Sequence, residues 1–351
     1  MTDEMAATGE TAREASPRVD QHMVSKCLIR CWGRTGEDRV EYFDLRNGPR
    51  FRTAAPANVM YRTADGEGGG FVPVEFAGAL EVEWSQLERH GCEAIRAVLR
   101  GDSVDDDRRD AILGLMALHL LRSSETLGRF LMIVGDRATE LHAEVATGDD
   151  YRQVLVETGM TVEEAQEVAD AAIRSPDGFV QRARADFAGN MTRWLERFIE
   201  GLSAGGLLLR KSDTDVLVLG DGPAFLSPRD CLECETTVMF GMLDGVLRCS
   251  RHAGFSAHWP FADWLCWMPL APRLVAVAGP RIKDADTPLA LVGSMSDRVN
   301  VMQCRRAQVR IVIPPGGENR YRPVVDTHAS FRPPVSGYLP EQPPEDARWK
   351  I

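Results

Sequence analysis

Apolar residues recur at helical spacing through the middle of the chain. Between residues 74 and 99 they lie three, four and seven positions apart, which predicts an amphipathic helix. After Ser103 the chain begins with aspartates and becomes apolar on all sides from residue 113 to residue 121, which predicts a buried helix. Thr161 and Glu164 have the spacing of a capping box, so another helix is expected after them.

Short β-favouring runs flank this helical middle. VEYFDL lies before it, and DVLVLGD, RLVAVAG and QVRIVI follow residue 205, separated by Gly, Pro and Asp. No helical pattern is evident between the later runs, so they predict an antiparallel sheet. The sequence therefore predicts an α+β fold in which a central helical bundle packs on a mainly antiparallel β-sheet.

The composition varies along the chain and predicts three regions. Residues 1–20 are poor in apolar side chains, so we expect a disordered N-terminus. Residues 21–332 are expected to form a single α+β domain, with a helical part at about 74–201 and a β-rich part at about 205–312. Residues 333–351 form a Pro-rich tail, which predicts an extended surface segment.

The formal net charge of −11 is spread along the 351 residues. An acidic surface repels phosphate backbones and argues against general nucleic-acid binding. No apolar run is long enough to cross a membrane, and the N-terminus lacks the apolar core of a signal peptide, so a cytoplasmic protein without a membrane partner is predicted. A chain of this size does not need disulfides, and most of the eight cysteines are expected to be buried thiols, Cys27 and Cys31 included.

Two ligand pairs suggest a zinc site. In CLEC and CSRH each pair is separated by two residues, and fourteen residues lie between the pairs. This arrangement suits a tetrahedral, structural Zn²⁺ that would pin a β insertion, although Glu235 replaces the glycine usual in a zinc knuckle. The alternative is four side chains without a metal. The predicted ligands are Cys231, Cys234, Cys249 and His252.

Five further fragments stand in a recognisable order: QHMVSKCLIRCW, GALEVEWSQLERHG, LALHLLRSSE, VLVLGDGPAF and WMPLAPRLVAV, followed by Asn300. Across about residues 21–312 they resemble the bacterial domain-of-unknown-function family numbered 4238. The resemblance implies a fold-level grouping and candidate positions, without an established reaction. The chain departs from the family pattern at Gln21, Ser25 and Gly222, so an active site at the N-terminal His pair would be altered here.

The resemblance brings together His22, Glu88, Arg122 and Asp221 as candidate catalytic residues. Glu88 shares a helix face with Glu81, and a carboxylate beside an apolar stripe needs a partner, which Arg122 can supply. His22 would act as a general base or metal ligand, Glu88 and Asp221 as acids or ligands, and Arg122 as an anion-binding group.

The alternative to a catalytic site is a buried ion-pair network that holds the helices on the sheet. In that interpretation Asp221 bonds the backbone of its turn, and His119 is a core histidine whose hydrogen bonds are satisfied. Two functions follow from the two interpretations. One is a hydrolase-like or nuclease-like enzyme. The other is a non-enzymatic binding or regulatory protein, in stress or anti-phage response, with a zinc-stapled β insertion.

Overall fold

The structure is a computed structural model, and it describes residues 20–34, 36–63, 74–123, 152–153, 156, 160–174, 191–228, 236–240, 245–249, 264–279 and 282–330. Helices dominate the middle of the chain, and mostly antiparallel sheets are built from its two ends. The predicted α+β class is therefore confirmed. Among the described residues, no helix is both long enough and apolar enough to cross a membrane.

The helices follow the predicted pattern in the middle of the chain. The amphipathic stretch forms α2, which ends one residue beyond the expected end, and Asp105 caps α3 by accepting a hydrogen bond from the Arg108 amide. The capping box before α4 is present, since Thr161 and Glu164 exchange hydrogen bonds of 2.9 and 3.2 Å. The helices are α1 (Lys26–Arg30), α2 (Val74–Arg100), α3 (Asp106–Leu121), α4 (Val162–Arg174), α5 (Met191–Ser203), α6 (Gly293–Arg306) and α7 (Glu318–His328), with a 3₁₀ turn at Pro56–Asn58.

The strands are β1 (Asp20–His22), β2 (Val40–Asp44), β3 (Arg50–Ala54), β4 (Tyr61–Thr63), β5 (Gly206–Lys211), β6 (Leu219–Gly220), β7 (Phe225–Pro228), β8 (Thr236–Phe240), β9 (Gly245–Cys249), β10 (Trp264–Ala271), β11 (Leu274–Gly279), β12 (Leu289–Ala290) and β13 (Arg310–Ile313). A five-stranded sheet has the order β12-β5-β11-β10-β7, and within it only β12 runs parallel to its neighbour. Two separate two-stranded pairs are β1-β4 and β8-β9.

A four-stranded sheet joins the two β-rich ends of the chain. Its order is β3-β2-β13-β6, so β2 from the N-terminal part lies antiparallel to β13 from the C-terminal part. The central helices pack on the five-stranded sheet, because side chains of α2, α3 and α5 share one core with those of β5, β10 and β11. Of the predicted disordered N-terminus, residues 1–20, only Asp20 is described, and it begins β1; the predicted tail, residues 333–351, lies outside the described residues.

The expectation that no helix interrupts the C-terminal strands was wrong. α6 lies between β12 and β13, and α7 follows β13. The buried face of α6 includes Ser296, Asn300 and Gln303, so its apolar periodicity is weak. Pro323 lies inside α7, and because proline usually interrupts a helix, the sequence did not predict this one. The first four residues of the CLIRCW segment lie in α1.

Side-chain amides of α6 explain why the predicted strand in DVLVLGD is shortened to β6. Asn300 accepts a hydrogen bond from the Val218 amide at 3.0 Å and donates to the Val216 carbonyl at 2.7 Å. One turn later, Gln303 accepts from the Gly220 amide at 2.8 Å. These amides satisfy backbone groups that a neighbouring strand would otherwise pair.

Candidate functional site

The loop before α1 is anchored to α3 through His119. The Ser25 amide donates to His119 Nε2 at 3.1 Å, and the Ser25 Oγ lies 3.1 Å from the same nitrogen. His119 Nδ1 lies 2.9 Å from the Leu115 carbonyl oxygen, which can only accept a hydrogen bond. The proton of the neutral ring therefore sits on Nδ1, and Nε2 is the acceptor.

His119 is neutral under physiological conditions. Burial lowers its pKa to about 4, and the nearby charge of Arg122 acts in the same direction. Both ring nitrogens have protein partners, and the residue is fully buried. The prediction of a core histidine with satisfied hydrogen bonds is confirmed.

Glu88 on α2 and Arg122 at the end of α3 form the ion pair that their positions suggested. Arg122 Nη1 donates to Glu88 Oε1 at 2.5 Å, and the arginine side chain is 1% exposed. Its guanidinium also lies 5.1 Å from the centre of the Trp84 ring, a cation–π distance. Burial would raise the pKa of Glu88, but the charge of Arg122 and hydrogen bonds from Ser25 and Arg122 outweigh burial and hold that pKa below its ordinary value.

This network, defined as Ser25, Glu88, His119 and Arg122, is poorly arranged for nucleophilic catalysis. A neutral imidazole offers one lone pair at Nε2, and the backbone amide of Ser25 already donates to it. The Ser25 hydroxyl lies 3.1 Å from His119 Nε2 and also helps to lower the pKa of Glu88, and Ser25 is fully buried. The network therefore ties the start of α1 to α2 and α3, whereas the ion-pair alternative expected it to hold the helices on the sheet.

The other two predicted catalytic residues lie on different elements. Asp221 follows β6, and its two carboxylate oxygens accept hydrogen bonds of 2.8 Å from the amides of Gln308 and Val309. It thereby holds the backbone just before β13, a distant segment, whereas the structural alternative expected it to bond the backbone of its own turn. His22 ends β1, where its backbone pairs with Tyr61, and its side chain lies outside the described residues.

The predicted zinc ligands cannot be placed together. Cys249 ends β9, opposite Thr236 of β8, and its side chain is outside the described residues. Cys231, Cys234 and His252 lie wholly outside them. Within the described part of the chain, no group of three or more His, Cys, Asp or Glu side chains is arranged to hold a metal ion.

Cys27 and Cys92 form a disulfide, contrary to the expectation of a buried thiol at Cys27. The bond links α1 to α2 across 65 positions of sequence. Neither residue belongs to a short cysteine motif, so the sequence carried no signal for this pairing. Among the described residues, Cys31, Cys266 and Cys304 are free thiols, and the last two are buried as predicted.

A cleft of about 250 Å³ opens beside the disulfide, and we call it the cationic cleft. Its wall contains Cys27, Cys92 and Ser85. It also contains a single carboxylate, Glu88, which is paired with Arg122. Four cationic side chains line the same space: Lys26, Arg30, Arg89 and Arg96.

The four cations differ in their partners. Arg30 lies 3.7 Å from Asp38, and Arg89 lies 3.6 Å from Glu93, all on exposed surface. Lys26 and Arg96 have no carboxylate within ion-pair distance among the described residues. Their charges are therefore available to a ligand.

A second cleft of about 540 Å³ adjoins the first and shares Cys27, Arg30 and Arg96 with it. Its acidic side chains, Glu37 and Asp38, are each within 4 Å of an arginine. The two clefts thus have cationic side chains in common.

The resemblance to family 4238 stays a prediction after comparison with known proteins. The chain matches no protein-family model, no curated protein and no solved structure.

Proposed function

We propose that this chain is a binding protein that takes up a small polyanion in the cationic cleft between α1 and α2. The observation that carries the proposal is the convergence of four cationic side chains around one already neutralised carboxylate. On a chain with a net charge of −11, this local excess of positive charge attracts anions.

The chemistry of these side chains favours carboxylate or phosphate groups. Arginine presents a planar fork of donors that matches both groups, and a lysine ammonium adds a mobile point charge. Arg96 and Lys26 approach the cleft from α2 and α1 respectively, so a ligand with two or more anionic groups can engage both helices.

The volume of the two clefts favours a small molecule. About 250 Å³ lies at the lower limit of ligand sites, and the adjoining 540 Å³ extends the available space. Both clefts are open to solvent, so the ligand needs charge more than apolar surface for its affinity. Binding is therefore expected to weaken as salt is added.

The hydrolase-like or nuclease-like function has less support. Its predicted acid, Glu88, is committed to Arg122, and Asp221 holds backbone amides before β13. Ser25 and His119, which bond to one another beside Glu88, are fully buried. None of these groups is poised to transfer a proton to a bound substrate.

Three wider predictions accompany the binding function. We place the protein in the cytoplasm, without nucleic acid as a general partner, because the chain is acidic outside the cleft. A regulatory role in stress or anti-phage response stays a prediction. So does the structural zinc site formed by Cys231, Cys234, Cys249 and His252.

Isothermal titration with citrate and with pyrophosphate, each compared with acetate at equal ionic strength, tests the proposal. We expect both polyanions to bind and acetate to bind far more weakly. Arg96→Gln should weaken polyanion binding about tenfold, because a charge-assisted hydrogen bond contributes about 1.5–3 kcal/mol.

Arg100→Gln is the matched control, since Arg100 is exposed on the same helix one turn beyond Arg96 and outside the cleft. It should leave the affinity within about twofold of wild type. Absence of polyanion binding, or an equal loss in the two variants, would overturn the proposed function.

A further inference from the structure

The disulfide forms part of the wall where the two clefts meet. Cys27 is half-buried and lines both clefts, whereas Cys92 is 1% exposed and lines the cationic cleft alone. Cys27 is therefore the sulfur that an incoming thiol would attack, and Cys92 would be the leaving group.

Three of the cations lie on the same helix faces as these two cysteines. Arg89 and Arg96 lie three residues before and four residues after Cys92, which places all three on one side of α2. Arg30 lies three residues after Cys27 in α1 and lines both clefts. Positive charge beside a sulfur stabilises its thiolate and makes it a better leaving group.

We infer that the Cys27–Cys92 disulfide is a redox-active site whose substrate is an anionic low-molecular-weight thiol. This inference rests on the proposed function, because it identifies the polyanion of the cationic cleft as a molecule that also carries a thiol. The cations then serve twice, since they attract the negatively charged thiol and stabilise the thiolate that leaves.

The reaction is a two-step thiol–disulfide exchange. In the first step the substrate thiolate attacks Cys27 Sγ, a mixed disulfide forms, and the Cys27–Cys92 bond breaks to release the Cys92 thiolate. In the second step another substrate thiolate attacks the substrate sulfur of the mixed disulfide and frees Cys27. Two substrate thiols are oxidised to one disulfide, and the protein gains two electrons and two protons as two thiols.

Cys31 does not compete in the second step. Burial raises its pKa to about 11, although Arg96 acts against burial, so the thiol is protonated at neutral pH. Its Sγ also donates to the Cys27 carbonyl oxygen at 3.5 Å. The mixed disulfide at Cys27 is therefore resolved by the second substrate thiolate and not by Cys31.

Other contacts hold α1 in place when the disulfide opens. The Ser25 amide remains bonded to His119, and the Trp32 indole N–H donates to the Leu217 carbonyl oxygen at 3.0 Å. The Cys27 Sγ lies 3.6 Å from the Glu88 carbonyl oxygen, so the freed thiol has an acceptor. The oxidised and reduced forms can thus interconvert without loss of the site.

Three small thiols of similar size and different charge test the inference on the oxidised full-length chain. They are 2-mercaptoethanesulfonate, 2-mercaptoethanol and cysteamine, which are anionic, neutral and cationic. Reduction is followed by alkylation and mass spectrometry of the Cys27 and Cys92 peptides, and rates are expressed per thiolate. We expect the anionic thiol to react about tenfold faster than the cationic one at low ionic strength, and trapping should place the mixed disulfide on Cys27.

The Arg30→Gln/Arg96→Gln variant should bring the three rates close together, and Arg100→Gln should preserve their order. If the disulfide resists all three thiols, or if the rates do not depend on thiol charge, the redox inference is overturned. Polyanion binding by the same preparation would then still support the proposed function. Loss of both would remove the two proposals together.

Discussion

Two groups of charged residues on α2 are compensated in opposite ways. Glu88 meets Arg122 and the Ser25–His119 pair, and these groups bond to one another. Arg89 and Arg96 flank Cys92 and line an open cleft, where Arg96 has no carboxylate within ion-pair distance among the described residues.

The contrast shows that a cluster of titratable residues is not by itself an active site. Buried charges are tolerated only when protein partners compensate them, and compensation leaves little capacity for a substrate. Exposed cations cost little to leave unpaired and remain available for binding. The resemblance-based residues belong mainly to the first kind, and the proposed function belongs to the second.

Among these predictions, the largest loss of stability is expected from a substitution of Glu88 in the buried network. Glu88→Leu leaves the deeply buried Arg122 guanidinium without the carboxylate that it bonds, so the free energy of unfolding should fall by about 3–5 kcal/mol. Urea denaturation measures the loss. The double variant Glu88→Leu/Arg122→Met removes both charges and should recover at least half of it, whereas a single-variant loss below about 1 kcal/mol would show that the pair contributes little.

Acid should weaken the same network through His119. Its pKa is about 4 in the folded chain against an ordinary value of 6.5, so the unfolded chain binds the proton first as the pH falls. The stabilisation is therefore complete above about pH 6.5 and is lost towards pH 4, by about 3 kcal/mol.

Unfolding free energies at several pH values between 6.5 and 4 check this expectation. His119→Gln removes the titrating ring, so its stability should vary much less over that range. The pKa of Glu88 is also lowered in the folded chain, so the stabilisation from this carboxylate is lost as the pH falls below 4.5, its ordinary pKa. If the unfolding free energy of the wild-type chain changed as little with pH as that of the variant, the assignment of a buried neutral histidine would be contradicted.

Local patterns predicted the helical middle of the fold and part of the network. The periodicity of α2, the capping box of α4 and the burial of His119 depend on residues close in sequence, where spacing determines geometry. The Glu88–Arg122 pair could be anticipated because a carboxylate on an apolar margin needs a cation.

The remaining features depend on contacts between distant parts of the chain. Cys27 and Cys92 meet only because α1 packs on α2, and no spacing rule connects them. α6 was hidden because its buried face uses Asn300 and Gln303 to bond backbone groups near β6. The cationic cleft combines side chains from both α1 and α2, so neither segment predicted it alone.

The contrast between the buried network and the cationic cleft is tested most directly by arginine side-chain NMR. Nε–Hε resonances are followed while pyrophosphate is added at constant ionic strength. The account predicts saturable shifts for Arg30 and Arg96 and no shift for Arg122, whose guanidinium is enclosed by Glu88 and Trp84. A shift confined to Arg122, or uniform shifts in all the arginines, would contradict it.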